Sequence, residues 1–298
     1  MKRMLAALFL IVSFSAANAQ SSRADSILKD LRRHPEYVLV AAHRAAHADF
    51  PENSLASIEE AIRLQVDGGV KIDNIGLQAD IAELDVQRTK DGIFVLMHDR
   101  TITRTTGQQG SVADYTLAQL QQFPLLHNGQ PTRHRIPTFK DALLAAKGRI
   151  LVDVDFKVDG IDAAKDAYLL IQQTGMMPYV LFFLYDHPDA KTLLAHNAFI
   201  PILPRVRNAA ATRETLGYGL FPALHLDETF YSKEIAEEVR ATGARVWMNA
   251  LGTFDKEEKE KPGTGFDRFF ASFPLTGIVQ TDLPGELVAY LQKKGKHR

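Results

Sequence analysis

Residues 81–99 read Ile-Ala-Glu-Leu-Asp-Val-Gln-Arg-Thr-Lys-Asp-Gly-Ile-Phe-Val-Leu-Met-His-Asp. Ile81 to Val86 has the β-rich composition of a strand, and a second apolar run, Ile93 to Met97, follows after Asp91-Gly92. Asp-Gly between two such runs signals a tight hairpin, because the turn needs positive φ. The second run therefore returns antiparallel. A parallel partner would require a crossover of a dozen or more residues. Ile93 to Met97 is thus expected beside, and outside, any parallel barrel.

Outward from this hairpin, strands and helices alternate. Strands are expected at Tyr37–Ala42, Ile150–Asp155, Tyr179–Leu184, Phe199–Leu203, Ala223–Leu226, Arg245–Asn249 and Gly277–Gln280. Helical spacing runs through 21–35, 54–66, 138–147, 161–174, 188–196, 231–242 and 284–293. Without the hairpin return the strands number eight. That count, with helical crossovers, points to an α/β fold of the (β/α)8 barrel type, with a hairpin and loop insertion after the second strand. An open doubly wound sheet is the competitor. Residues 67–80 and 100–135 read as loop-rich insertions. The charged run at 255–261 reads as a solvated face or loop.

Composition narrows the class. The chain has 298 residues, 46% hydrophobic and 24% charged, with 35 basic and 36 acidic residues. This is globular usage rather than disordered or polytopic membrane usage. The balanced charge gives no footprint for nucleic acid. The absence of cysteine excludes disulfides, thiolate metal sites, cysteine nucleophiles and a lipoprotein anchor. Lys2 and Arg3, the apolar run Met4 to Val12 and the small residues Ala17 and Ala19 form the pattern of a secretory signal peptide over 1–19. One barrel domain over 20–298, periplasmic or secreted, is the resulting expectation.

In a barrel of this kind the strand C-termini face the active site. Strand one ends in His43-Arg44, strand two carries Glu83 and Asp85, and the hairpin return ends in His98-Asp99. Strand three carries Asp153 and Asp155 before Lys157, and the last two strands end at Trp247 and Asn249 and at Thr281-Asp282. Residues two apart on a strand share a side, so Glu83 pairs with Asp85 and Asp153 with Asp155, while Leu84 and Val86 face the helices. Converging carboxylates repel unless a cation neutralises them. That cation is a divalent ion, Mg²⁺ or Ca²⁺ by the all-oxygen ligands, or else Arg44 and Lys157 close a structural ion network. His43 and His98 suit a general acid and base. A metal pair of His43 with His47 would need a helix where a loop is expected. His225 and Asp227 end another strand within possible reach of substrate. A divalent cation, two fixed cations and an acid–base pair suit attack at phosphorus.

These residues resemble the glycerophosphodiester phosphodiesterase family. The matching stretches are His43-Arg44, Pro51-Glu52-Asn53-Ser54, Glu83-Leu84-Asp85-Val86, Thr89-Lys90-Asp91-Gly92, His98-Asp99, Arg104-Thr105-Thr106, Ile136-Pro137-Thr138, Asp155-Phe156-Lys157, Val246-Trp247 and Thr281-Asp282-Leu283-Pro284, in family order. The resemblance implies a TIM-type barrel that cleaves a small-molecule phosphodiester to an alcohol and a phosphomonoester. It implies metal ligation by Glu83, Asp85 and Asp155, with His43 and His98 as the acid–base pair in either order. Arg44 and Lys157 would hold the phosphate, Trp247 would line the pocket, Glu52-Asn53 would brace the first loop, and Glu52 would reach toward the site. Three positions depart from the pattern: Ala45-Ala46 stands where glycine usually follows His-Arg, Asp155 stands for a glutamate, and Ala250 follows Asn249 in place of an acid. Asp153 could share the metal.

The leading expectation is release of sn-glycerol 3-phosphate from deacylated phospholipid headgroups, by direct water attack or through a cyclic phosphate. A sphingomyelinase D-like lyase that stops at the cyclic phosphate keeps the same site. A non-catalytic phosphodiester-binding protein keeps the cations but has little use for a matched acid and base.

Overall fold

The computed structural model describes residues 21–63, 78–197 and 199–298. The expected signal peptide, the end of the 54–66 helix and most of the 67–80 insertion lie outside these residues.

Eleven strands are described: β1 (Leu39–Ala42), β2 (Ile81–Arg88), β3 (Phe94–Leu96), β4 (Pro124–His127), β5 (Gln130–Arg135), β6 (Leu151–Phe156), β7 (Val180–Leu184), β8 (Ile202–Val206), β9 (Ala223–Leu226), β10 (Arg245–Asn249) and β11 (Ile278–Thr281). Eight of them run parallel in the order β1-β11-β10-β9-β8-β7-β6-β2, and β1 pairs with β2 to close the barrel. β3 returns antiparallel on the outside of β2. Gly92 has φ +82°, as the Asp-Gly turn demands.

Alternation along the strands creates two cores. Outward side chains such as Ala82, Leu84, Val86, Val152 and Val154 pack against the helices. Inward ones, Leu39, Ile81, Leu151, Leu181, Leu203, Trp247 and Ile278, fill the barrel. The helix Arg23–Arg33 plugs its lower end with Ala24, Ile27 and Leu31. Arg245 anchors this plug by donating to the carbonyls of Asp30, Leu31, His34 and Tyr37, at and just beyond the end of the helix. No described helix is long and apolar enough to cross a membrane.

Four sequence expectations need correction. The strand expected at Phe199–Leu203 lies at Ile202–Val206, and Phe199 is exposed. Residues 100–135 hold short helical turns and the β4–β5 hairpin rather than plain loop. Helices at Ala209–Leu216 and Thr264–Ser272 were not anticipated. The charged run is the helix Thr253–Glu260, and two of its acids turn inward. Buried Glu258 accepts from the amides of Gly263 and Phe266, the start of the next helix, Thr264–Ser272. Buried Asp255 accepts from Thr281 and Asp282.

Candidate active site

The register of β2 against β6 sets Glu83 beside Asp153 and Asp85 beside Asp155. Their outward neighbours belong to the helix-facing core, so all four carboxylates enter the barrel. Glu83, Asp85 and Asp153 are at most 2% exposed. Glu83, Asp85 and Asp155 can each offer an oxygen within 4.8 Å of the others'.

Protein groups satisfy only part of this cluster. Glu83 Oε2 accepts from the Arg44 amide (2.7 Å) and from Gln280 (3.3 Å). Lys157 Nζ lies 3.0 Å from Asp85 Oδ1 and 2.6 Å from Asp155 Oδ2, and Tyr185 Oη lies 2.6 Å from the same ammonium and 2.9 Å from Asp155 Oδ2. Yet Glu83 Oε1, Asp153 Oδ1 and Asp155 Oδ1 are buried with no partner among the described residues. Burial, reinforced by the neighbouring carboxylates, pushes the Glu83 and Asp153 carboxyls well above the usual range. Burial also raises Asp155, although Lys157 opposes it. An ion network with Arg44 and Lys157 therefore exists but does not satisfy the acids. Orphaned carboxylate oxygens in a buried oxygen-only set fit a hard divalent cation.

The loop after β1 is bent hard to reach this cluster. Arg44 (φ +50°) and Ala45 (φ +61°) are both left-handed. Ala45 thus adopts the backbone conformation that glycine takes without steric cost. The bend lets the Arg44 amide donate to Glu83 while the Ala45 amide donates to the Glu83 carbonyl. Asn53, also left-handed at φ +53°, locks the loop to β2. Its Nδ2 donates to Asp85 Oδ2 (2.7 Å), and its Oδ1 accepts from the Asp85 amide (3.0 Å).

Each candidate histidine has a carboxylate on Nδ1. Asp282 Oδ1 lies 2.7 Å from His43 Nδ1, and Asp99 Oδ1 lies 2.6 Å from His98 Nδ1. A carboxylate there selects the tautomer with the proton on Nδ1 and leaves Nε2 for chemistry. Burial is the strongest influence on Asp282 and raises it, but the bond and charge of His43, with His47 and Lys259, together outweigh it and the net shift is downward. Asp99 is held down to about 2, chiefly by the Arg104 guanidinium. Arg104 also grips Glu52 in a two-pronged pair (2.6 and 2.7 Å), and Glu52 accepts from Arg44. A continuous charged chain thus links His98, Asp99, Arg104, Glu52 and Arg44.

The structure therefore gathers His43, Arg44, Glu52, Glu83, Asp85, Asp155 and Lys157 at one mouth, with His98 tied in through Arg104. His47 sits in a loop beside His43, with its Nε2 3.7 Å from Asp282, and not on a helix. Trp247 is placed differently from the expectation. It is 1% exposed, in the barrel's inner layer, and its indole N–H donates to Asn249 Oδ1. Inward alternation puts Asn249, two residues on, nearer the rim. Asp282, Asp99, Arg104, Asn53, Tyr185 and Gln280 were not singled out as site residues. The first four stand in the matching motifs, which was the available signal. Tyr185 and Gln280 come into reach only through strand order.

The glycerophosphoryl diester phosphodiesterase family model matches residues 43–220. The chain is 34% identical over 184 residues to glycerophosphodiester phosphodiesterase 1 of Rattus norvegicus, covering 59% of this chain and 50% of the relative. It is 34% identical over 122 residues to glycerophosphodiester phosphodiesterase of Caldanaerobacter subterraneus subsp. tengcongensis, covering 40% and 45%. The chain spans about half the length of the curated relatives it matches. Among solved structures, a glycerophosphoryl diester phosphodiesterase from Parabacteroides distasonis superposes with a TM-score of 0.74 at 22% identity, over 92% of this chain and 93% of that one. An Oleispira antarctica phosphodiesterase, solved with the product sn-glycerol-3-phosphate, gives 0.65 at 20% identity, over 87% and 98%. At these identities the superpositions speak for the fold, a TIM barrel.

Proposed function

The chain belongs to the glycerophosphoryl diester phosphodiesterase family, and we propose that it hydrolyses glycerophosphodiesters to an alcohol and sn-glycerol 3-phosphate. The observation that carries this reading is the pair of carboxylate-oriented histidines at a mouth lined by an under-satisfied acidic cluster. The relatives' names and the product held by the Oleispira antarctica phosphodiesterase support the same substrate class.

The parts divide the work as follows. Arg44 and Lys157 offer N–H donors to the non-bridging phosphate oxygens. One histidine Nε2 takes the proton of the attacking hydroxyl, from water or from the neighbouring alcohol of the glycerol. The other gives its proton to the departing alkoxide, so one P–O bond forms as another breaks and no net proton is lost. A divalent cation held by Glu83, Asp85 and Asp155, Mg²⁺ or Ca²⁺, would supply neutralisation of charge on the phosphate oxygens. Arg104 and Glu52 keep Arg44 and Asp99 in position. Export, read from residues 1–19, belongs to the same proposal, with a small-molecule diester as the partner.

The test is incubation of the purified chain with glycerophosphocholine, glycerophosphoethanolamine and glycerophosphoglycerol in the presence of Mg²⁺ or Ca²⁺, with glycerol 3-phosphate read by a coupled dehydrogenase. Glycerol 3-phosphate released in step with free alcohol supports the proposal. Diester binding without any product would make the chain a binding protein and overturn it.

A further inference from the structure

Across the barrel mouth from the acidic cluster lies a cavity of about 250 Å³ that the proposed chemistry does not use. Arg205, His225, Asp227, Glu228, Asn249 and Leu251 line it, at the ends of β8, β9 and β10. It is close to the site. Tyr185, which touches Asp155 and Lys157, packs edge-on against Phe183 (5.0 Å between centroids), and Phe183 packs against His225 (5.5 Å).

Its polar groups are built in and unfilled. His225 is 7% exposed, and its Nδ1 is enclosed with no partner among the described residues. Burial, and then Arg205 beside it, pushes the imidazole down to about 3, so the ring is neutral and offers one donor and one acceptor. Arg205 is fixed by its pair with Asp227 (2.6 Å), itself tied to Thr229, yet Arg205 Nε is enclosed without a partner. Asn249 adds a third group. Because indole can only donate, the bond from Trp247 assigns the Asn249 oxygen and leaves its NH₂ without a partner among the described residues. Buried polar atoms of a folded protein normally have partners, and two orphans, His225 Nδ1 and Arg205 Nε, at one cavity mark a place where a ligand supplies them.

We infer that this cavity is the subsite for the hydroxyl-bearing alcohol half of the diester, with His225, Arg205 and Asn249 as its specificity-determining residues. The inference rests on the proposed diesterase reading and names the chemistry it selects. Hydroxyls both donate and accept, which suits a neutral imidazole beside two N–H donors. A nitrophenyl group or a quaternary ammonium offers no hydroxyl to these atoms; among the described lining residues there is no aromatic cage for a cation, and Asp227 is already paired with Arg205. A site built to hydrogen-bond a hydroxyl discriminates strongly against analogues that lack it, because its own polar groups are then buried unpaired.

The experiment compares wild type, His225→Phe and Asn249→Leu on glycerophosphoglycerol, which carries hydroxyls on both halves, and on bis(p-nitrophenyl) phosphate, which carries none. The expected result is a loss in kcat/KM at least tenfold greater on glycerophosphoglycerol, expressed mainly in KM. Equal losses on both substrates, or no loss, would overturn the subsite. Asn249→Leu lies nearer the rim and covers the case in which His225→Phe fails to fold. Calorimetric binding of glycerol 3-phosphate and of methyl phosphate keeps the subsite testable should neither diester be cleaved, an outcome that would count against the diesterase reading alone. Tighter binding of glycerol 3-phosphate by wild type, lost in the variants, supports the subsite. Equal binding of the two phosphates overturns it.

Discussion

His43 and Asp282 are the next pair in the register after Ala42 and Thr281, so closure of β1 on β11 alone brings Asp282 Oδ1 to 2.7 Å from His43 Nδ1. They are 239 residues apart in sequence. The Asp282 amide is held in turn by buried Asp255 (2.7 Å). A side-chain amide in place of this carboxylate no longer fixes the tautomer. Asp282→Asn is therefore expected to lower kcat by roughly 10²–10⁴ while KM moves only a few-fold. Steady-state kinetics on glycerophosphocholine checks this, and an unchanged kcat would remove Asp282 from the account.

His43→Ala and His98→Ala should each lower kcat by roughly 10²–10⁴, the usual contribution of a positioned acid or base. Circular dichroism should stay native, since both side chains sit at the mouth rather than in the core. Near-normal turnover in either variant would strip that histidine of its role.

Glu83→Ala removes one of three oxygens that can approach a common centre. The variant should need a higher cation concentration for half-maximal activity, and excess cation should restore part of the rate. Titration of chelated enzyme with Mg²⁺ or Ca²⁺ reads this directly. Wild-type and variant rates indifferent to chelation would exclude the metal.

Ala45 carries the cost of a left-handed backbone, about 1–2 kcal/mol for a residue with a Cβ. Glycine relieves that cost but loses a buried methyl, about 0.8 kcal/mol, and adds roughly 0.5–1 kcal/mol of chain entropy. Ala45→Gly should thus be near neutral. Ala46 is equally buried but has no positive φ, so Ala46→Gly should destabilise by about 1–2 kcal/mol. Urea denaturation of the two variants checks the contrast.

His297 near the C-terminus lies with its Nε2 2.9 Å from buried Asp80, which also accepts from the Val40 amide. Burial lowers the imidazole pKa, but Asp80 outweighs it and the net value rises above 6.5. A group raised in the folded state contributes stability that is complete below its unfolded value and lost as pH climbs through the folded one. Wild type should therefore lose a few degrees of Tm relative to His297→Gln between mildly acidic and alkaline pH. Parallel Tm curves for the two proteins would contradict the pairing.

Much of this was legible in the sequence for a physical reason. Buried parallel strands are short apolar runs, and their C-terminal ends carry the chemistry, so Glu83, Asp85, Asp155, His43 and His98 stand out locally. Neighbourhood across strands is not written locally. That Asp153 sits beside Glu83, or Tyr185 beside Lys157, follows only from register and strand order. The run at 255–261 was misread because its composition is that of a solvated helix face, while position alone turns Asp255 and Glu258 inward. The strand at Ile202–Val206 was shifted because Pro204 and Arg205 break the apolar pattern where the chain enters the polar mouth. Trp247 was placed too high because a strand terminus suggests the rim, whereas Asn249 occupies it.

The most direct test of metal-assisted, two-histidine diester cleavage is phosphorus NMR of glycerophosphocholine with the purified chain, with divalent cation and again after chelation. The account predicts conversion of the diester signal to glycerol 3-phosphate with cation and none after chelation. A cyclic phosphate as the final product would assign the chain to lyase chemistry, and turnover that survives complete chelation would contradict the role given to Glu83, Asp85 and Asp155.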